Sequence, residues 1–265
     1  MTKRKLPVRF TGQHFTIDKT LISDSIRLAS LKYSDTVLDI GAGKGFLTVH
    51  LLHHSGDVIA IEKDTGLASY LKHKYRHYTN LTILNIDFLN FRIPARPFKV
   101  VSNIPYGITS DILKILMFAN LENFKGGSIV MQLAPARKLT SNKIYSPYAI
   151  FYRTFFHMKL QYEINPASFM PPPTVQSALL CIEPNGIRIE HVHKEKYLRF
   201  IQKLIAVPGT KTRTALKAIF RKSQIESICS KHSLDPGINV ENVNPFLWKA
   251  CFNEMLKVVP EKFHP

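Results

Sequence analysis

The chain is short of acid: across 265 residues, 19 Asp and Glu stand against 36 Lys and Arg, a formal net charge of +17. Charge of that size concerns partners and not fold, and the usual polyanionic partner is nucleic acid. An anionic membrane surface competes for the same charge, but no long basic amphipathic segment alternating with Trp and Phe favours it. Cysteine is also scarce. Cys181, Cys229 and Cys251 are odd in number, widely spaced and set among apolar residues. Without a Cys-x-x-Cys or Cys/His cluster, neither a disulfide framework nor a metal site is expected. No stretch approaches ~18 uninterrupted apolar residues, and the basic start lacks the apolar core of a secretory signal. The expectation is a soluble, cytoplasmic protein. Repeats and low-complexity tracts are missing as well. What remains is globular in composition, 45% hydrophobic and 21% charged, with length enough for one large domain and a smaller one.

The most informative segment is Asn103-Ile104-Pro105-Tyr106. It follows the apolar strand-like run Phe98–Ser102 and precedes the helix-like run Asp111–Leu116. An amide, a rigid kink and an aromatic ring thus stand at the carboxyl end of a strand, where open α/β sheets bind ligands. Such a trio suits holding the exocyclic amine of a nucleobase against an aromatic face. An ordinary proline-punctuated turn is the bland alternative.

Its neighbours weigh against the bland reading. Thr36–Ile40 reads as a short strand, followed by Gly41-Ala42-Gly43-Lys44-Gly45 and a helical run from Phe46. Glycines there let the backbone turn tightly and approach a ligand at a helix N-terminus. The spacing is GxGxG, which is neither the GxGxxG dinucleotide fingerprint nor a P-loop with its Lys-Ser/Thr ending. A second strand, Val58–Ile61, ends in Glu62, placed to accept from both ribose hydroxyls. A third, Leu81–Ile86, ends in Asp87-Phe88, where the carboxylate can accept from an adenine amine and the ring can cover its face. Singly, each acid is more often a helix cap. In succession they indicate an adenosine-type ligand, and a loop without phosphate-cradling features indicates S-adenosylmethionine over NAD or ATP.

Residues 1–11 form a basic arm, with Lys3, Arg4, Lys5 and Arg9 unrelieved by acid; it is either a solvated tail or a nucleic-acid contact. Ile17, Leu21, Ile22, Ile26 and Ala29 recur at helical spacing behind Asp18. Strand and helix then alternate to about Leu133, the pattern of a parallel sheet covered on both faces. Gly127–Leu133 reads as a fifth strand, and Thr154–Glu163 and Thr174–Ile182 as a final hairpin-like pair. Between that pair, Phe169-Met170-Pro171-Pro172-Pro173 forms a stiff loop. Phe169 could wall a base there, although a lone Phe more often plugs a loop onto the core. Glu183-Pro184-Asn185-Gly186 breaks the pattern, so residues 1–184 are expected to form an α/β domain and 185–265 a smaller all-helical one. Helices are expected near 194–207, 212–220, 223–232 and 245–256. Lys211, Arg213, Lys217, Arg221 and Lys222 fall in one acid-free run, a credible phosphate-backbone surface.

Gly12-Gln13-His14-Phe15, the glycine loop, Glu62, Asp87, Asn103–Tyr106 and Phe169–Val175 occur in an order that resembles the ribosomal RNA adenine-N6 methyltransferases. Among these the chain is most similar to the Erm (erythromycin-resistance) enzymes of class F, a likeness extended by Phe10–Thr16 and Val258–Pro265. The resemblance implies a Rossmann-like methyltransferase sheet with a helical RNA-binding domain. It also implies S-adenosylmethionine as donor and a monomer acting on one adenine of large-subunit rRNA before assembly is complete. Macrolide, lincosamide and streptogramin B resistance would follow. By position, Gln13 and His14 would meet the methionine end of the cofactor, Gly41 and Gly43 would line its pocket, and Glu62 with Lys63 would hold the ribose. Asp87 and Phe88 would hold the adenine, Asn103 to Tyr106 the target base, and Phe169 would stack on that base. Many relatives carry Asn where this chain has His14. A small-subunit rRNA dimethyladenosine transferase is the nearest alternative, with a non-catalytic RNA-binding or transcription factor of the same fold behind it. The intact Asn103–Tyr106 and Glu62/Asp87 set argues against the latter, and a small-molecule enzyme leaves the charge unexplained.

Overall fold

The computed structural model describes residues 15–190 and 193–265. The basic arm with Lys3, Arg4, Lys5 and Arg9, and the pair Gln13 and His14, lie outside the described residues. The chain divides into two compact units. Of the described residues, one comprises 15–113, 122–133 and 160–181; the other comprises 114–121, 134–159, 182–190 and 193–265.

The first unit opens with β1 (Phe15–Thr16) and α1 (Lys19–Leu28). The Asp18 side chain caps α1 by accepting from the Thr20 and Leu21 amides, which satisfies donors the helix cannot. There follow β2 (Thr36–Ile40), α2 (Phe46–Leu51), β3 (Asp57–Ile61), α3 (Thr65–Lys74), β4 (Leu81–Leu84) and β5 (Phe98–Asn103). After α4 (Thr109–Lys114) comes β6 (Phe124–Gln132). β7 (Phe156–Ile164, in this unit from Leu160), the two-residue β8 (Phe169–Met170) and β9 (Ser177–Pro184, in this unit to Cys181) complete the strands.

Seven of these strands form one sheet in the order β4-β3-β2-β5-β6-β9-β7. β2 runs parallel to β3 from Thr36↔Asp57 to Ile40↔Ile61, and parallel to β5 at Val37↔Lys99 and Leu38↔Val100. From β2 the chain moves outward through β3 and β4, then returns to β2's other side for β5 and β6. That reversal opens a crevice at the carboxyl ends of β2 and β5, the place where such sheets take ligands. β2 is buried throughout, which explains why Val37, Leu38 and Ile40 are apolar on both of its faces. Ile22 and Ile26 of α1 and Leu47 and Leu51 of α2 pack with Val37, Val58 and Val101 from the sheet. β1 and β8 pair antiparallel, Thr16 opposite Phe169.

The second unit is built on aromatic packing. It holds α5 (Leu133–Thr140, from its second residue), α6 (Pro147–Phe155), α7 (Lys194–Leu204), α8 (Thr212–Leu216), α9 (Lys222–His232) and α10 (Pro245–Val258). Tyr197 lies 5.8 Å from Phe151 and 5.0 Å from Phe252, ring centre to ring centre, with Trp248 fully buried nearby in sequence. α6 extends to Phe155, so the strand expected from Thr154 starts two residues later. The Thr154 hydroxyl bonds back to the Ile150 carbonyl and to the Tyr197 hydroxyl, which holds it in the helix. α8 ends at Leu216, four residues short of the expected helix. No helix among the described residues is long and apolar enough to cross a membrane.

Candidate active site

A cavity of about 650 Å³ opens at the carboxyl edge of the sheet, within the size range of small-molecule sites. Four strand ends build it. Gly41, Ala42 and Gly43 come from the loop after β2, and Glu62, Lys63 and Asp64 from the end of β3. Ile86, Asp87 and Phe88 follow β4, and Asn103 to Ile108 follow β5. In-register parallel strands bring these residues to one edge although they span some 70 positions of sequence.

The loop after β2 needs its glycines. Gly41, Gly43 and Gly45 have φ of 75°, 58° and 77°, the left-handed region that side chains disfavour. A Cβ at Gly41 would stand 3.0 Å from the Pro105 ring, so glycine also sets how closely the β2 and β5 loops approach. The Gly41 and Ala42 amides both donate to the Ile61 carbonyl, at 2.8 and 3.2 Å. Glu62 is buried and fixed: one carboxylate oxygen accepts from the Gly43 amide at 2.9 Å, the other from Asp64 at 2.8 Å. Asn85 donates to the Glu62 and Lys63 carbonyls and so clamps this strand end. Asp87 caps the short 3-10 turn Phe88–Asn90 through Oδ1 and also lines the cavity.

Three contributors escaped the sequence reading. Asp39 sits inside the apolar run of β2 yet lines the cavity, 2% exposed, and accepts from the Thr48 hydroxyl at 2.6 Å. Burial pushes its pKa up to about 7; the Thr48 bond opposes the rise and the Glu62 charge adds to it. Ser102 spans the gap between β2 and β5, its hydroxyl accepting from the Ile40 amide at 3.0 Å and donating to the Ile40 carbonyl at 2.7 Å. Ser177 of β9 is buried and shares a 2.6 Å hydrogen bond with the Tyr106 hydroxyl. Burial raises the Tyr106 pKa, against the pull of that bond.

At the end of β5, Ile104 is buried and its amide donates to the Val130 carbonyl, tying the motif to β6. Pro105 precedes the 3-10 turn Tyr106–Ile108, and its carbonyl accepts from the Ile108 amide. Phe169 is placed elsewhere. It is 1% exposed and packs among Leu21, Val130, Ile164 and Leu179, outside the cavity lining. In β8 the alternation of side chains sends Phe169 inward and leaves Met170 62% exposed. Of the basic run, Lys211, Lys217, Arg221 and Lys222 are exposed; Arg213 is half-buried, 4.0 Å from the Glu226 carboxylate.

Among the described residues the lining carries four acidic side chains, Asp39, Glu62, Asp64 and Asp87, against one cation, Lys63. Such a field disfavours the phosphates of NAD or ATP. It fits a nucleoside bearing cationic groups, as the sulfonium and ammonium of S-adenosylmethionine are.

The model of the ribosomal RNA adenine dimethylase family matches residues 7–257. An rRNA adenine N-6-methyltransferase of Bacteroides fragilis is 58% identical over 265 residues, covering all of both chains. One from Bacillus licheniformis is 32% identical over 94% of this chain and 88% of its own. Among solved structures, the 23S rRNA methyltransferase ErmE superposes with a TM-score of 0.78 at 26% identity, covering 91% of this chain and 99% of that one.

Proposed function

The chain belongs to the ribosomal RNA adenine dimethylase family, and from that premise we propose that it methylates N6 of one adenine in the peptidyl-transferase region of large-subunit rRNA, conferring macrolide, lincosamide and streptogramin B resistance. The observation that carries the reading is the placement of Asn103-Ile104-Pro105-Tyr106 on the rim of the same cavity as Gly41, Glu62 and Asp87. S-adenosylmethionine supplies an electrophilic methyl group. Glu62 holds its ribose beside Lys63, Asp87 and Phe88 its adenine, Gly41 and Gly43 the pocket wall, and Gln13 and His14 its methionine end.

The adenine N6 lone pair is delocalised into the ring and is a poor nucleophile. Accepting hydrogen bonds from both N6 hydrogens localises it. The Asn103 side-chain oxygen is one acceptor. The other is a backbone carbonyl at Ile104 or Pro105, the latter also receiving the Ile108 amide. Tyr106, steadied by Ser177, offers the ring against which an extruded base rests. Positioning supplies most of the acceleration, and no dedicated base is required because the product ammonium loses its proton readily. Residues 185–265, through Lys211, Arg213, Lys217, Arg221 and Lys222, and the arm at Lys3, Arg4, Lys5 and Arg9 hold the RNA. The protein acts as a cytoplasmic monomer on RNA not yet fully assembled.

Expression in a macrolide-sensitive bacterium, with methylated adenines mapped on both rRNAs, tests this. The unmodified gene should mark large-subunit RNA and give resistance. Asn103→Ala should lower turnover much more than RNA affinity, the signature of an interaction used in the transition state, and should abolish resistance. Methylation confined to small-subunit RNA, without resistance, would replace the target; full resistance from Asn103→Ala would overturn the mechanism.

A further inference from the structure

The far ends of α2 and α3 form a surface that the cavity does not use. From Thr65 to Asn80 the chain has no acidic residue, yet it presents Lys72, His73, Lys74, Arg76 and His77 within six positions. Phe46 to Gly56 is likewise without acid and adds His50, His53 and His54. All eight side chains are exposed.

The two groups make one face. α2 and α3 pack Val49, Leu71 and Tyr75 together over Ala42 and Ala60. His53 stands edge-on to Tyr78 at 6.4 Å, and Tyr78 to Tyr75 at 6.2 Å. The Lys74 ammonium lies 4.9 Å from the Tyr75 ring centre and 5.3 Å from that of Tyr70, which is 45% exposed. Among the described residues no carboxylate pairs with Lys72, Lys74 or Arg76. The α3 macrodipole accounts for cations in its last turn. It does not account for Arg76 and His77 beyond that turn, nor for three histidines on and after α2. An anionic lipid surface would also meet these charges, but interfacial binding needs an apolar side to bury, and Tyr70 is the one large apolar side chain exposed on α3.

We propose that this α2–α3 face is a second contact surface for the RNA substrate. Its lysines and arginine hold backbone phosphates, while Tyr70 and the histidine rings present flat faces to unstacked bases. α3 starts beside the cavity residues Glu62 to Asp64, and its ten residues carry Lys72 and Lys74 roughly 15 Å away. RNA flanking a base in the cavity therefore reaches the face without leaving the first unit. The inference rests on the rRNA reading above.

The test compares the full chain with Lys72→Gln/Lys74→Gln/Arg76→Gln on a transcript spanning the peptidyl-transferase region, by anisotropy over a range of salt concentrations. The triple variant should bind roughly tenfold more weakly at low salt, with the log–log salt slope flattened by about 2. KM for RNA should rise while kcat and calorimetric cofactor affinity hold, and Lys72→Arg/Lys74→Arg/Arg76→Lys should restore binding. Should the triple variant fail to fold, Lys72→Gln and Arg76→Gln alone should each remove about one contact of slope. An unchanged slope and KM with intact cofactor binding would overturn the proposal. So would loss of binding to phosphatidylglycerol vesicles with RNA binding unaltered. If the unmodified protein methylates no rRNA, the functional reading fails, and the anisotropy still reports on this face.

Discussion

Replacing Asp39 by Asn should make the protein more stable at alkaline pH, and the gain should vanish in acid. The Asp39 carboxyl is raised from 3.8 to about 7, chiefly because burial disfavours its charge. The folded state therefore holds a proton that the unfolded state releases, and stability falls as pH rises from about 4 to about 7. At 1.36 kcal/mol per pH unit that interval comes to about 4 kcal/mol, of which roughly half lies between pH 5 and pH 8. That is a large share of the ~5–15 kcal/mol that holds a domain folded. Asn keeps an oxygen for the Thr48 hydroxyl at nearly the same volume and cannot ionise. Urea unfolding of both proteins without cofactor, at pH 5 and pH 8, reads the effect of Asp39 together with its coupling to Glu62, because the remaining titrating groups are common to the pair. The difference in unfolding free energy should widen by roughly 2 kcal/mol in favour of the Asn variant at pH 8. A difference that stays constant with pH would refute the buried-charge account of this position.

Three further outcomes are expected. Asp87→Ala should weaken S-adenosylmethionine binding to metal-free protein, as calorimetry would show; unchanged affinity would remove Asp87 from the pocket. Neutralising Lys211, Arg213, Lys217, Arg221 and Lys222 together should weaken RNA binding and flatten its salt slope by about one contact per effective charge, with cofactor affinity intact. Phe169→Ala should destabilise the fold by about 3–5 kcal/mol in denaturant melts, as expected for a buried ring. Reduced turnover at unchanged stability would instead return Phe169 to base stacking.

Much of the site was legible because a parallel sheet turns sequence order into spatial order. Each strand ends at the same edge, so Gly41, Glu62, Asp87 and Asn103 could be read one strand at a time and assembled without knowing any long-range pairing. Asp39 was not legible: one acid inside an apolar run carries no periodic signal, and its role depends on which strands flank β2. Phe169 was equivocal for a related reason. Its side depends on the pairing of β8 with β1, a contact across more than 150 residues that no local pattern encodes. The grouping of residues 114–121 and 134–159 with the C-terminal helices is of the same kind, set by aromatic packing between distant segments.

The Ser102 hydroxyl answers both polar groups of Ile40, as a neighbouring backbone would. A side chain standing in for a rung leaves the Ile40 donor and acceptor satisfied while the strands part, so the opening between β2 and β5 need not expose bare peptide groups. Cleft width is thereby uncoupled from strand register. A sliding strand would turn every side chain to the opposite face, whereas exchanging the group at position 102 changes the bonds to Ile40 and to the Asp39 carboxyl and leaves the register as it is. Sequences built on this sheet can thus retune the mouth of the cavity by point substitution, with the core behind it left as it is.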